Sequence, residues 1–291
     1  VVGFHTDEWR NAFIDYVIQE VGGEELPNGR LRAFGRTICV EAFPIGIDAK
    51  GFRELADTEI GRANRQRMEE SKAGRKMLVG VDRLDYSKGL EERFLAYERL
   101  LNENPSLQRE IFLLQISTRS RWEVPEYQEI AGRLDALSGR INGENAEMDW
   151  VPIRNVHRLH SREELAGIYR AAEVCLVTPL RDGMNLVAKE YVAAQDEANP
   201  GVLILSRFAG AAAQMKEALI VNPFSQEDVA DAIKRALAMA PEERRKRWRA
   251  LMEGVEKENV MAWRDDFVRR LEEVRDGVGA KPTLITKGDA A

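Results

Sequence analysis

Met77-Leu78-Val79-Gly80-Val81-Asp82-Arg83-Leu84-Asp85-Tyr86-Ser87-Lys88-Gly89 begins as an almost uniform apolar run and turns polar at Asp82. Leu90, Phe94, Leu95, Tyr97, Leu100 and Leu101 then recur at helical spacing. A short apolar run without alternation fits a strand covered on both faces, and the periodicity behind it completes a strand–loop–helix unit. The alternation continues downstream. Strands are expected at 111–116, 150–153, 174–177, 202–205 and 220–221, with helices at 123–137, 162–172, 185–195 and 211–218 between them. Two further helices are expected at 226–239 and 241–274, the second broken or bent. Pro241, Glu242 and Glu243 suit its amino terminus. Such repetition means a mostly parallel sheet in an open doubly wound α/β domain, with its ligand at the carboxyl ends of the strands.

Residues 1–60 read differently. Trp9, Phe13, Tyr16, Val17 and Val21 give one helical face, a loop follows from Gly22 to Gly29, and Arg36 to Phe43 alternates like a strand. These pieces have too few strands to bury both faces of a sheet. The expected division is 1–74 as the end of one incomplete domain, 75–275 as a complete Rossmann-like one with closing helices, and 276–291 as a loose tail. The chain starts at Val1 without an initiator Met, as though inside a fold.

Composition narrows the function. Of 291 residues, 44% are hydrophobic and 32% charged, enough for a core and a solvated surface, which excludes a disordered protein. The net charge of −6, with no long basic block, speaks against non-specific nucleic-acid or membrane binding. Cys39 and Cys175 cannot make a disulfide framework and read as reduced, buried thiols of a cytoplasmic protein. No signal peptide and no run of 18 apolar residues is visible. Oligomeric state is left open, a homo-oligomer included.

Three loops carry the chemistry. Arg83 and Lys88, in the turn after the first strand, can converge on one anion, a planar donor fork and a compact charge suited to a diphosphate. An ordinary solvated loop explains the same residues. Thr178-Pro179-Leu180-Arg181-Asp182-Gly183-Met184-Asn185-Leu186-Val187-Ala188-Lys189-Glu190 also joins a strand to a helix. Gly183 permits close backbone approach, and the helix starting near Asn185 offers N–H groups to phosphate. Asp182 either accepts from sugar hydroxyls or caps the helix; Glu190 either holds ribose hydroxyls or makes a surface ion pair. Ser117-Thr118-Arg119-Ser120-Arg121 is a third cationic loop, a candidate anion contact or an exposed turn. His157 and His160 read as surface residues. There is no Walker A, GxGxxG or GxSxG sequence and no metal-ligand spacing, so no metal or cofactor is expected.

Together these loops resemble the trehalose-6-phosphate synthases. The resemblance rests on Gly3-Phe4-His5-Thr6, Phe43-Pro44-Ile45-Gly46-Ile47-Asp48, Asp82 to Gly89, Gly139-Arg140-Ile141-Asn142-Gly143, and the Thr178 to Tyr191 stretch. Ala193-Ala194-Gln195-Asp196, Ser206 to Ala211 and Ala218 to Pro223 extend it, so that it spans about residues 1–270. It implies a retaining glycosyltransferase of GT-B type, with two Rossmann-like domains. Such an enzyme moves glucose from a nucleoside diphosphate glucose such as UDP-glucose onto glucose 6-phosphate, without a metal. By position, Arg83 and Lys88 would hold the diphosphate and Asp182, Gly183, Met184 and Asn185 the transferred glucose. Leu186, Val187, Ala188, Lys189 and Glu190 would bind the nucleotide, Ser161 would lie beside the base, and Arg121 would grip the acceptor phosphate. Arg119 stands where a small residue is expected, and Ser161 where an aromatic is usual. The family's donor loop, its active-site histidine (not His5) and further acceptor contacts belong upstream of Val1, so the chain is expected to be a carboxyl-terminal portion. Two alternatives stand beside this reading: a relative with another phosphorylated acceptor, such as glycerol phosphate, and a catalytically silent homologue that only binds a nucleotide sugar.

Overall fold

The computed structural model describes residues 1–27, 29–118 and 123–279 of the chain. It divides into two compact units, one of residues 1–45 and 260–291, the other of residues 46–259.

The first unit contains β1 (Val2–Phe4), α1 (Asp7–Val21), β2 (Glu24–Leu26), β3 (Arg30–Ala33) and β4 (Arg36–Ala42). Thr6 caps α1, and Gly22, with φ of +71°, ends it in the left-handed region. The sheet order is β1-β4-β3-β2, with β1 parallel to β4 and the other two pairs antiparallel. Val17, Leu31, Ala33 and Val40 form its core.

The second unit runs α2 (Ala49–Ala56), α3 (Glu59–Lys72), β5 (Lys76–Arg83), α4 (Leu90–Glu103), β6 (Ile111–Thr118), α5 (Pro125–Asn145) and β7 (Ile153–Val156). It continues with α6 (Arg162–Ala171), β8 (Val174–Val177), α7 (Leu186–Ala194), β9 (Val202–Ser206), β10 (Leu219–Val221), α8 (Gln226–Ala238) and α9 (Pro241–Lys257). The last helix, α10 (Val260–Gly279), belongs to the first unit. There Phe267 packs edge-on against Phe43, and Arg270 donates to Glu41 at 2.6 Å.

The six strands of the second unit are all parallel, in the order β10-β9-β8-β5-β6-β7. β5 is laid down first, the chain builds outward to β6 and β7, then returns to β8 on the other side of β5. That reversal is the topological switch point of a doubly wound sheet, and in such sheets ligands lie at the carboxyl ends of the two strands flanking it. The strand and helix alternation read from the sequence is therefore correct for this unit. β5, β6, β8 and β9 are buried through nearly their whole length, as strands covered by helices on both faces must be.

Several boundaries differ from the sequence reading. The third strand is 153–156 rather than 150–153, because the Asn142 side chain bonds both N and O of Ile153 and Trp150 is spent donating its indole N–H to Ile111 O. The helix read at 211–218 is only a single 3-10 turn, Gly210–Ala213. The segment 241–274 is two helices, α9 and α10, in different units.

The division itself falls at 45/46 and 259/260, not at 74/75 and 275/276. α2 and α3 sit in the second unit because α3 lies tightly on α6: a Cβ on Gly167 would be 2.1 Å from Gly61 O. Lys72 adds to this, its ammonium reaching Ala171 O at 3.0 Å and Glu173 at 2.7 Å. The expected tail from 276 is also corrected, since α10 continues to Gly279; residues 280–291 lie outside the described ones. Among the described residues, no helix is long and apolar enough to cross a membrane.

Candidate functional site

The two loops that flank the switch point carry the residues singled out from the sequence. After β5, Asp85 caps a 3-10 turn over Tyr86–Lys88, and Gly89 turns the chain into α4 with φ of +63°. A Cβ at Gly89 would be 2.6 Å from Thr178 O, so the close approach of the two loops requires glycine. The loops are also laced through the backbone. Leu180 N donates to Ser87 O at 2.8 Å, Asp182 N to Phe208 O at 3.1 Å, Gly210 N back to Asp182 O at 3.0 Å, and Ala211 N to Met184 O at 2.8 Å. The loop after β8 is thereby pinned between the loops after β5 and β9.

This lacing brings Lys88 and Asp182, 94 positions apart in sequence, into an ion pair of 2.5 Å. Both side chains are mostly buried. The same Asp182 oxygen accepts from Asn185 Nδ2 at 3.0 Å. Asn185, with φ of +74°, precedes α7 without capping it by its side chain, and its Oδ1 is buried without a partner among the described residues. A non-glycine residue held at positive φ costs about 1–3 kcal/mol and persists only where its surroundings impose it. Arg83 lies at the rim of this arrangement, exposed and without an ion pair among the described residues.

α7 starts at Leu186, and its first-turn N–H groups have no partner within the helix, which makes that end a ready site for negative charge. Gly183 is exposed and Met184 buried beside it. Leu186 and Val187 are half-buried, whereas Ala188 is fully enclosed. Burial raises the Glu190 carboxyl to about 7, opposed by the Arg162 guanidinium. Lys189 points into the interior. It is 1% exposed, donates to Gln214 at 2.7 Å, and is lowered to about 8 by burial, with Glu258 acting the other way.

The remaining candidates are placed differently. Ser161 is exposed and forms a capping box on α6, accepting from Glu164 N while the Glu164 carboxylate accepts from Ser161 N. Arg121, with Arg119, lies outside the described residues. His157 is not a free surface side chain: its ring nitrogens face Ser117 O at 3.1 Å and Asp135 at 2.8 Å. His160 is similarly enclosed beside Glu164. No group of three or more His, Cys, Asp or Glu among the described residues could hold a metal ion.

One group escaped the sequence reading. Arg93, in the first turn of α4, is 1% exposed. Its guanidinium donates to Asp82 at 2.6 Å, Gln115 at 2.7 Å and Thr178 Oγ1 at 2.9 Å. Gly80 leaves the necessary space, since a Cβ there would be 2.5 Å from Arg93 Nη1. The signal was present: an arginine among Leu90, Phe94 and Tyr97, on the apolar face of a helix.

The sequence profile of glycosyltransferase family 20 matches residues 1–273. The trehalose-6-phosphate synthase of Sinorhizobium fredii (strain NBRC 101917 / NGR234) is 45% identical over 279 residues, 96% of this chain and 60% of that protein. A Burkholderia xenovorans alpha,alpha-trehalose-phosphate synthase (UDP-forming), solved in complex with glucose-6-phosphate, superposes with a TM-score of 0.89 at 47% identity. The match covers 93% of this chain and 60% of the other. An E. coli structure with UDP-2-fluoro glucose bound gives 0.88 at 42% identity, covering 92% and 60%. The α/β fold, of GT-B type, is common to these structures and this chain. The chain spans 60% of the length of the curated relative with which it shares 45% identity.

Proposed function

The chain belongs to glycosyltransferase family 20, and we propose that it supplies the donor-holding part of an enzyme that transfers glucose from a nucleoside diphosphate glucose, UDP-glucose in the first instance, to glucose 6-phosphate. The product is trehalose 6-phosphate. The observation that carries this reading is the Lys88–Asp182 pair, which joins the loops at the switch point beside the free amino end of α7. A cation, a carboxylate and a helix N-terminus meet there, the chemistry required by a sugar joined to a diphosphate.

In this reading residues 46–259 are the donor-binding unit and residues 1–45, with α10, the end of the acceptor-side domain. Cleavage of the anomeric C–O bond puts negative charge on the departing diphosphate and positive charge on the sugar. Arg83, Lys88 and the N–H groups of α7 stabilise the former as fixed charges and dipoles that need no reorganisation during the reaction. Asp182, Gly183, Met184 and Asn185 hold the transferred glucose, and the Glu190 carboxylate accepts from the ribose hydroxyls. Arg121 takes the acceptor's phosphate. Asp182, already engaged by Lys88 and Asn185, orients the sugar rather than attacking it. Retention then follows from front-face attack, with the leaving phosphate accepting the proton of the acceptor hydroxyl.

The test is a coupled assay of UDP release from UDP-glucose with and without glucose 6-phosphate, alongside calorimetry with UDP-glucose. Acceptor-dependent release supports transfer. Donor binding without release supports a silent binding homologue, and absence of both rejects the donor site.

A further inference from the structure

A buried guanidinium is expensive. Removing two charges from water costs several kcal/mol per ion even after relaxation, and well-packed apolar residues often replace such a pair without loss of stability. Arg93 nevertheless lies buried against β5 and β6, paired with Asp82, and its Nη2 has no acceptor among the described residues. Stability alone gives a poor account of this arrangement. Its geometry gives a better one.

Two of the three side chains that Arg93 holds are close in sequence to residues of the proposed donor site. Asp82 immediately precedes Arg83. Thr178 begins the loop that leads to Asp182. Arg93 N itself bonds Gly89 O at 3.0 Å, which ties the first turn of α4 to the residue following Lys88. Gln115 fixes the network to β6, and its amide also lies 3.4 Å from Asp82. One side chain thus spans β5, β6, β8 and α4.

We propose that Arg93 is a positioning residue for the donor: by holding Asp82, Gln115 and Thr178 in one buried network, it sets the separation of the loops after β5 and β8, and with it the gap that a diphosphate must bridge. The inference rests on the nucleotide-sugar reading of the site. It makes a narrower claim, that the network controls recognition of the second phosphate. A monophosphate, needing no bridge between the loops, is indifferent to their separation.

The experiment is calorimetry of UDP and UMP with the full chain and with the variants Thr178→Val, Thr178→Ser and Arg93→Lys. Thr178→Val is nearly isosteric and removes only the acceptor for Arg93 Nε, whereas Thr178→Ser keeps it. A misplacement of even an ångström at such a site can cost up to about a hundredfold. For Thr178→Val, UDP affinity is expected to fall about tenfold and UMP affinity less than about twofold. Thr178→Ser should restore the wild-type ratio, and Arg93→Lys, which loses the planar fork, should shift it as Thr178→Val does. Equal losses for UDP and UMP would reduce the network to general stability and overturn the inference. Unchanged binding of both would overturn it too. A wild-type chain that binds neither nucleotide would remove the underlying reading, a result distinct from either.

Discussion

Replacing Asp182 by asparagine should strengthen nucleotide binding while abolishing transfer. The Lys88 ammonium is 2.5 Å from the Asp182 carboxylate. A phosphate oxygen taking its own hydrogen bond from Lys88 would lie roughly 5 Å from that carboxylate, given an ordinary N–H···O length of about 2.8 Å. Two like charges at that separation repel by about 1 kcal/mol in a water-like dielectric and about 3 kcal/mol at an effective dielectric of 20. Asp182→Asn removes the repulsion, while Lys88 loses a partner that oriented it. The net expectation is a gain of about 1 kcal/mol for UDP, a five- to tenfold lower Kd by calorimetry at low salt. The gain should shrink as NaCl is raised, because it is electrostatic. Turnover should fall about a hundredfold or more, since the amide cannot replace the carboxylate at the sugar hydroxyls. A weaker or salt-independent affinity for UDP in Asp182→Asn would refute the argument that Lys88 is shared between carboxylate and phosphate.

Arg83→Ala should leave the thermal midpoint almost unchanged, because the side chain is exposed and makes no ion pair among the described residues. UDP affinity and turnover should each fall by about a hundredfold, and near-normal turnover would remove Arg83 from the site. Gly89→Ala forces a Cβ to 2.6 Å from Thr178 O at φ of +63°. The two loops must part, and a stability loss of about 1–3 kcal/mol by urea melts is expected together with weaker UDP binding. Glu190 supplies a pH test. Its carboxyl is raised to about 7, so the folded chain binds the proton more tightly than the unfolded one. Stability from this group is full below pH 4.5 and is lost as pH rises through 7. Glu190→Gln should therefore stabilise the ligand-free chain by about 2–3 kcal/mol at pH 8 and scarcely at pH 4. Equal effects in melts at the two pH values would contradict the burial of an ionisable carboxyl there.

The strand and helix alternation from Lys76 onward was legible because the signals are local. Uniform apolar runs such as Met77 to Val81 fit only strands covered on both faces, and the polar turns behind them mark the carboxyl ends where ligands lie. Arg83, Lys88 and Asp182 could be put forward as candidates from that rule, beside a solvated loop or a helix cap; Asn185 entered as a site residue only through the family resemblance. What the sequence withheld are relations between distant residues. The attachment of α3 to α6 depends on Gly167, whose missing Cβ lets α6 lie against the Gly61 backbone of α3, which no periodicity reveals. Lys189 belongs to the Thr178–Glu190 motif but lies on the inner face of α7, since helical geometry turns successive side chains by about 100°. Ser161 precedes Glu164 by three residues, a readable capping-box spacing that accounts for it locally without a ligand. Arg93 was hidden by the habit of assigning charged residues to surfaces.

The placement of α10 bears on how the polypeptide is made. A ribosome delivers every residue of the six-stranded unit before the helix that completes the smaller one. β1 to β4 and α1 precede that unit in the chain, yet the side chains that cover Phe43 and bond Glu41, namely Phe267 and Arg270, follow it. Until then Cys39, which accepts from Arg270 at 3.2 Å in the finished fold, lacks that partner. The larger unit has all its sequence at hand meanwhile, and its six strands pair only with one another. Synthesis order and completion order are reversed for these two units: the strands made before the larger unit are completed only after it, and a chain released before Val260 would leave them without α10.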